Sequence, residues 1–224
     1  MSIEEKPPET RCLSSNREVV EKGLAFDTFG NVSIREKEYC FIKPSGIDLN
    51  FCTEEEISQL KIDNGESVKG KAPSSDKLTH LELYRSFDYI GGITHTHSLY
   101  ATAWAQAVKP IPCLGTTHAD YWKGAVPVSR PLTNDEIKGD YELETGKVIV
   151  ETLQKHGLDP GECLGILVAH HGPFTWGKTV EEAVNNAERL EYIAKLACLT
   201  LQLNPHAPAI PSELHHRHYS RKHG

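Results

Sequence analysis

The chain has 224 residues, a formal net charge of -7 and a hydrophobic content of 38%, enough apolar material for one domain with its own core. Interspersed acidic and basic residues disfavour a nucleic-acid surface, and no apolar run approaches the roughly 20 residues of a membrane-spanning helix. The acidic opening "MSIEEKPPET" is not a signal peptide, so a cytoplasmic protein with no membrane or nucleic-acid partner is expected.

No Pro/Gly/Ser-rich linker and no internal repeat divides the sequence, which predicts a single domain over residues 1–224. Six cysteines lie far apart with no C-x-x-C pair, which suits reduced thiols, mostly packed in the interior.

In chain order, "REVVEK" predicts a short helix. "NVSIRE" and "YCFIKP", split by a polar "KE", predict a β-hairpin. "TEEEISQLKI" opens with a capping box, Thr53 with Glu56, and predicts a brief helix. In "PSSDKLTHLELYRSF", Ser74, Ser75 and Asp76 are N-cap residue types, and Leu78, Leu81, Tyr84 and Phe87 recur at helical spacing. "GGITHTHSLYATAWAQ" reads as strand then helix, and "LGILVAHHG" as an apolar strand. The clearest helix starts at Thr179 and Glu182, lines one face with Ala183, Ala187, Leu190, Ala194, Ala197 and Leu201, and ends at Asn204 and Pro205. Strands interleaved with helices imply an α/β layered domain.

Twelve histidines in 224 residues predict about 0.6 chance H-x-H pairs, and the sequence holds two, His95/His97 and His216/His218. The first pair ends an apolar run. In a strand, residues i and i+2 project from one face, so both imidazoles could reach a single ion; two hydrogen-bonded structural histidines are the alternative. A third ligand would come from "LVAHHGPF", where His170 and His171 face opposite ways and only one can join. Three imidazoles with an open position suit Zn²⁺, with Mn²⁺, Co²⁺ or iron as substitutes, and disfavour Mg²⁺ and Ca²⁺.

A rival reading comes from "GPFTWGKT", residues 172–179, which matches G-x-x-x-x-G-K-[ST] between a strand and a helix. Its chemistry argues against phosphate binding, because Pro173 lacks an N–H and Phe174 and Trp176 are bulky. Three other turns offer backbone N–H groups and hydroxyls instead: "FGNVS" (Gly30, Asn31), "KPSG" (Lys43, Ser45, Gly46) and "PSSD" (Ser74, Ser75). Together they could hold a phosphomonoester.

The order "GNVS", "KPSG", "PSSD", "HTH", "GTTHADY", "AHHGPFTWG", with "ETGKVIVET" and the tail "HYSRKHG", resembles the class II aldolase and epimerase family from about residue 24 onward. The resemblance implies a three-layer α/β/α fold whose central, mostly antiparallel sheet is flanked by helices. It implies a homotetramer with active sites at subunit interfaces. The metal ligands would be His95, His97 and His171, with Asp76 beside or bound to the ion. Gly30, Asn31, Ser45, Gly46, Ser74 and Ser75 would hold the phosphate of a sugar substrate, with Lys43 nearby, and Asp120 in "THADY" would be an acid/base residue. The motifs look most like the epimerase branch, which inverts the fourth carbon of a pentulose 5-phosphate by retro-aldol cleavage. The aldolase branch typically has a glutamate where this chain has Asp76. That epimerase pattern places a second acid/base residue, a tyrosine, beyond "RKHG"; Tyr219 and His218 are near it in sequence without matching it. Adducin-like members carry the fold as an interaction module without the histidines.

Overall fold

A computed structural model describes residues 6–26 and 28–223; Asp27, Gly224 and the first five residues of the acidic opening lie outside them. Seven strands form one sheet in the order β4-β3-β2-β1-β5-β7-β6, and every neighbouring pair is antiparallel. The first helix, α1 (Pro8–Glu21), begins well before "REVVEK". The predicted hairpin follows as β1 (Asn31–Glu36) and β2 (Tyr39–Ile42), with Lys37 at a φ of 54° in the turn.

The capping box at Thr53 is present, but the helix expected from it is not. A single 3-10 turn (Glu54–Glu56) gives way to β3 (Ser58–Lys61), which pairs with β2 and with β4 (Ser67–Lys69). Alternate side chains Ser58 and Leu60 are buried, and that two-residue period prevails over the local cap.

Helix α2 (Lys77–Ser86) leads to β5 (Gly92–His95) and α3 (Leu99–Gln106). Two short helices, α4 (Thr116–Ala119) and α5 (Asn134–Lys138), precede α6 (Tyr141–Lys155). The run "LGILVAHHG" is strand only at β6 (Gly165–Leu167). Residues 168–172 turn back through a Val168 N–H to Gly172 carbonyl bond of 2.9 Å into β7 (Pro173–Gly177). "GPFTWGKT" is thus mostly a buried strand paired on both edges, with β5 and β6, and the Lys178 N–H donates to Glu182, so it does not form a loop that wraps a phosphate. Helix α7 (Val180–Leu203) is capped by Thr179, whose hydroxyl accepts from the Glu182 N–H at 3.2 Å, and α8 (Ser212–His223) carries the basic tail.

Alternation along the strands sends side chains to two helical layers. Cys40, Ile42, Ile93 and Trp176 pack with Leu81 and Tyr84 of α2 and Ile149 of α6, whereas Val32, Ile34 and Phe41 pack with Leu13 of α1 and Val184 of α7. Each fully buried Ile or Leu contributes about 1.5–3 kcal/mol of transfer free energy. All six cysteines are free thiols, five of them buried. Among the described residues no helix is long and apolar enough to cross a membrane.

Candidate metal centre and active site

The sheet brings its chemistry to one end of β5. His95 is the last residue of that strand, paired with Asn31 on β1 and Phe174 on β7. It is fully buried and stacked on the Phe174 ring at 4.1 Å. Its Nδ1 lies 3.0 Å from the Pro173 carbonyl. A carbonyl can only accept, so Nδ1 carries the proton and the Nε2 lone pair is free.

His97, two residues on, brings its Nε2 to 3.1 Å from that of His95, and the Phe29 ring lies 5.3 Å from its own. His171, in the β6–β7 turn, completes the group, with ring centroids 4.7 and 5.2 Å from those of His95 and His97. One nitrogen from each histidine lies within 4.8 Å of the others. Nitrogens about 2.05 Å from a tetrahedral ion stand about 3.3 Å apart; the His95–His97 pair, at 3.1 Å, has that spacing, and the wider group would draw together around such an ion. Burial pushes His95 down to about 3 and lowers His97 and His171, which keeps the rings neutral and able to ligate. His170 is exposed, at a φ of 62°; the structure faces it away from the group.

Asp76 stands at the N-cap position of α2 yet makes no capping bond. Its carboxylate is used elsewhere: the Asn31 amide donates to Oδ2 at 2.6 Å and to the Ser74 hydroxyl at 3.2 Å. Burial raises the Asp76 carboxyl, but the neighbouring imidazoles of His95 and His80 and the Asn31 hydrogen bond outweigh it, and the group is held below the usual range. An anionic carboxylate therefore accompanies three neutral imidazoles, a donor set that fits Zn²⁺, Mn²⁺ or Co²⁺.

The three turns meet at the same corner. "KPSG" and "PSSD" touch through a Pro44–Pro73 bridge, and the Ser45 and Ser74 N–H groups donate to the Ala72 and Lys43 carbonyls at 2.9 Å. Gly30 adopts a φ of 79°, and a Cβ there would lie 3.0 Å from the His95 carbonyl oxygen. Glycine is what lets this turn press against the β5 end. Gly46 also has a positive φ, and Ser75 is exposed. Lys43 is buried and donates to the Thr28 and Gly30 carbonyls at 2.7 and 3.1 Å, bracing the "FGNVS" turn.

Asp120, at the C-cap of α4, is held by α8. Its Oδ1 accepts from His218 Nδ1 at 2.9 Å and from Arg221 at 3.1 Å, and the histidine trio is not among its partners. Burial raises its carboxyl, while His218 and Arg221 together pull it lower.

Two residues beside the trio escaped the sequence reading, Phe29 next to His97 and Tyr141, whose hydroxyl lies 3.4 Å from His171 Nδ1. No local spacing links position 141 to 171; the only signal was the composite motif "ETGKVIVET" that follows it.

Fold and donor set together define an α/β protein able to hold one divalent ion beside a half-buried carboxylate. The chain belongs to the family described as the class II aldolase and adducin N-terminal domain, whose profile matches residues 11–198. Among solved structures it is similar to an L-fuculose 1-phosphate aldolase, 26% identical, with a TM-score of 0.80 over 97% of this chain and 96% of that one. It is also similar to YgbL of Escherichia coli, whose reaction is left open among aldolase, epimerase and decarboxylase (25% identity, TM-score 0.72, 93% and 96% of the two chains). An L-fuculose-1-phosphate aldolase from Thermus thermophilus, at 22% identity and a TM-score of 0.68 over 89% and 96%, shares the fold.

Proposed function

We propose that the chain is a metal-dependent enzyme that breaks and remakes a carbon–carbon bond in a phosphorylated sugar, interconverting L-ribulose 5-phosphate and D-xylulose 5-phosphate. The observation that carries this reading is the convergence of His95, His97 and His171 within 4.8 Å beside Asp76. The similarity to an L-fuculose 1-phosphate aldolase supports the bond-breaking chemistry.

The hydrogen on a carbinol carbon is not acidic, so inversion at the fourth carbon requires another route. Loss of the proton from its hydroxyl lets the electron pair of the bond between the third and fourth carbons flow toward the ketone at the second. A two-carbon aldehyde phosphate is released, and the bond re-forms after that aldehyde presents its opposite face. His95, His97 and His171, with Asp76, would hold a divalent ion, which when bound would supply Lewis-acid stabilisation of the developing negative charge, worth several kcal/mol. Asn31 fixes Asp76, while Gly30, Ser45, Gly46, Ser74 and Ser75, with Lys43 behind them, retain the phosphate so that the aldehyde turns without escaping. Asp120, paired with His218, exchanges the proton of the fourth-carbon hydroxyl on one face; a group on the opposite face completes the cycle.

In this reading the enzyme is a homotetramer whose active sites lie at subunit junctions, where Asp120 of one copy serves the histidines of another. Exposed Phe26 and Phe29, close in sequence to Gly30, and Leu99, just after His97, support a protein–protein junction beside the site.

The test is conversion of L-ribulose 5-phosphate to D-xylulose 5-phosphate by protein loaded with Zn²⁺, Mn²⁺ or Co²⁺. No conversion, combined with cleavage of L-fuculose 1-phosphate, would replace the epimerase with an aldolase. Absence of both reactions and of bound metal would favour an adducin-like module.

A further inference from the structure

The three histidines are supported unequally. His95 is fixed by a backbone carbonyl, that of Pro173, at 3.0 Å. His171 has one side-chain hydrogen-bond partner among the described residues, the Tyr141 hydroxyl at 3.4 Å from Nδ1, with the two rings 6.1 Å apart. We propose that Tyr141 is a positioning residue of the metal centre, holding the His171 imidazole through Nδ1 so that Nε2 faces the ion. The inference rests on the reading of the trio as a metal site.

Hydrogen-bond chemistry gives the contact its direction. A phenol can accept or donate, and only when it accepts from Nδ1–H does Nε2 keep the lone pair that an ion requires. At 3.4 Å the bond is long, so its removal should weaken metal binding rather than abolish it.

Packing explains how a residue at the start of one helix reaches a turn 30 positions away. Tyr141 opens α6, which lies against α2. The seam is close because Gly146 has no side chain: a Cβ there would stand 2.7 Å from Glu82 Cβ and 3.2 Å from the Thr79 carbonyl oxygen. The Thr79 hydroxyl donates to the carbonyl of Glu142, the residue after Tyr141, and so joins the two helix starts. Tyr141 thus reaches His171 from the start of one helix, while Asp76, at the start of the neighbouring helix, acts on it electrostatically.

The test uses the full chain, stripped of metal and titrated with Zn²⁺ against a chromophoric chelator, with Tyr141→Phe as the variant. The ring is kept, so the melting temperature without metal should stay within about 2 °C of the parent, while Zn²⁺ affinity falls about tenfold. The visible spectrum of the Co²⁺-loaded protein should shift, a change that loss of packing alone would not produce. Unchanged affinity and spectrum, with one ion still bound by the parent, would overturn the role of Tyr141 and leave the metal site standing. A metal-free melting temperature that drops along with affinity would assign Tyr141 to packing and also overturn it. A parent that binds no ion would remove the metal site and this inference with it.

Discussion

Two H-x-H pairs in one chain have opposite fates. His95 ends β5 and His97 follows two residues later, just past the strand, where extended backbone still lets their Nε2 atoms converge to 3.1 Å. His216 and His218 lie on α8, where the same spacing corresponds to about 200° of rotation, and they diverge. His218 reaches Asp120 at 2.9 Å, while His216 lies 3.4 Å from the Ser220 hydroxyl at the exposed surface. A ligand motif therefore has meaning only with the backbone that carries it. The first pair is joined by His171 in the β6–β7 turn, whereas among the described residues no third metal-ligating group gathers around the helix pair.

The contrast is broken most directly by removing one histidine from each pair. His97→Ala should abolish stoichiometric metal, measured by elemental analysis, and lower turnover by about 10³-fold or more, in line with several kcal/mol of lost charge stabilisation. His216→Ala should leave both at the parental level, and a similar metal loss there would show that the strand-end site is misassigned. His218→Ala should retain full metal while lowering turnover about tenfold through the loss of the partner of Asp120.

A smaller effect tests the backbone that shapes the strand end. Gly30→Ala forces a side chain onto a φ of 79° with only 3.0 Å to the His95 carbonyl oxygen. It should cost about 1–3 kcal/mol, a fall of several degrees in melting temperature. An unchanged melting temperature would mean that the turn adjusts without cost.

The gentlest test is acid. Burial pushes His80 and His118 down to about 4 and His95 to about 3. Below the unfolded histidine value near 6.5 the unfolded chain takes up protons that these folded rings refuse. Stability of the metal-free protein is thus complete above that value. It should fall as pH drops from 6.5 toward 4, by up to about 1.4 kcal/mol per pH unit for each such ring. A flat unfolding midpoint in denaturant across that window would show that the rings are not shielded from water.

Periodicity made the hairpin and α7 legible in the sequence, because apolar residues there recur with the spacing of the structure they form. It failed at β3, where a real capping box hid a strand, and at β7, where a phosphate-loop spelling hid another. Both strands are settled by pairing with partners distant in sequence. The convergence of His95 and His97, with a third from "HH", could be anticipated from side-chain direction in extended backbone, although the strand itself stops at His95. Residue spacing alone could not choose His171 over His170, because the choice depends on a turn in which His170 takes a left-handed conformation. The commitment of Asn31 to Asp76 and the approach of Tyr141 to His171 depend on packing between elements, which no local pattern encodes.

Pro173 carries a further consequence. The residue that spoils the phosphate-loop reading supplies the carbonyl that orients His95, and a carbonyl belongs to every amino acid. No side-chain replacement at 173 deletes that anchor, whereas a single codon change at 141 erases the one on His171. For the proposed metal site, natural or laboratory evolution could therefore retune the hold on an ion readily from the His171 side, while the His95 side is fixed by the course of the main chain.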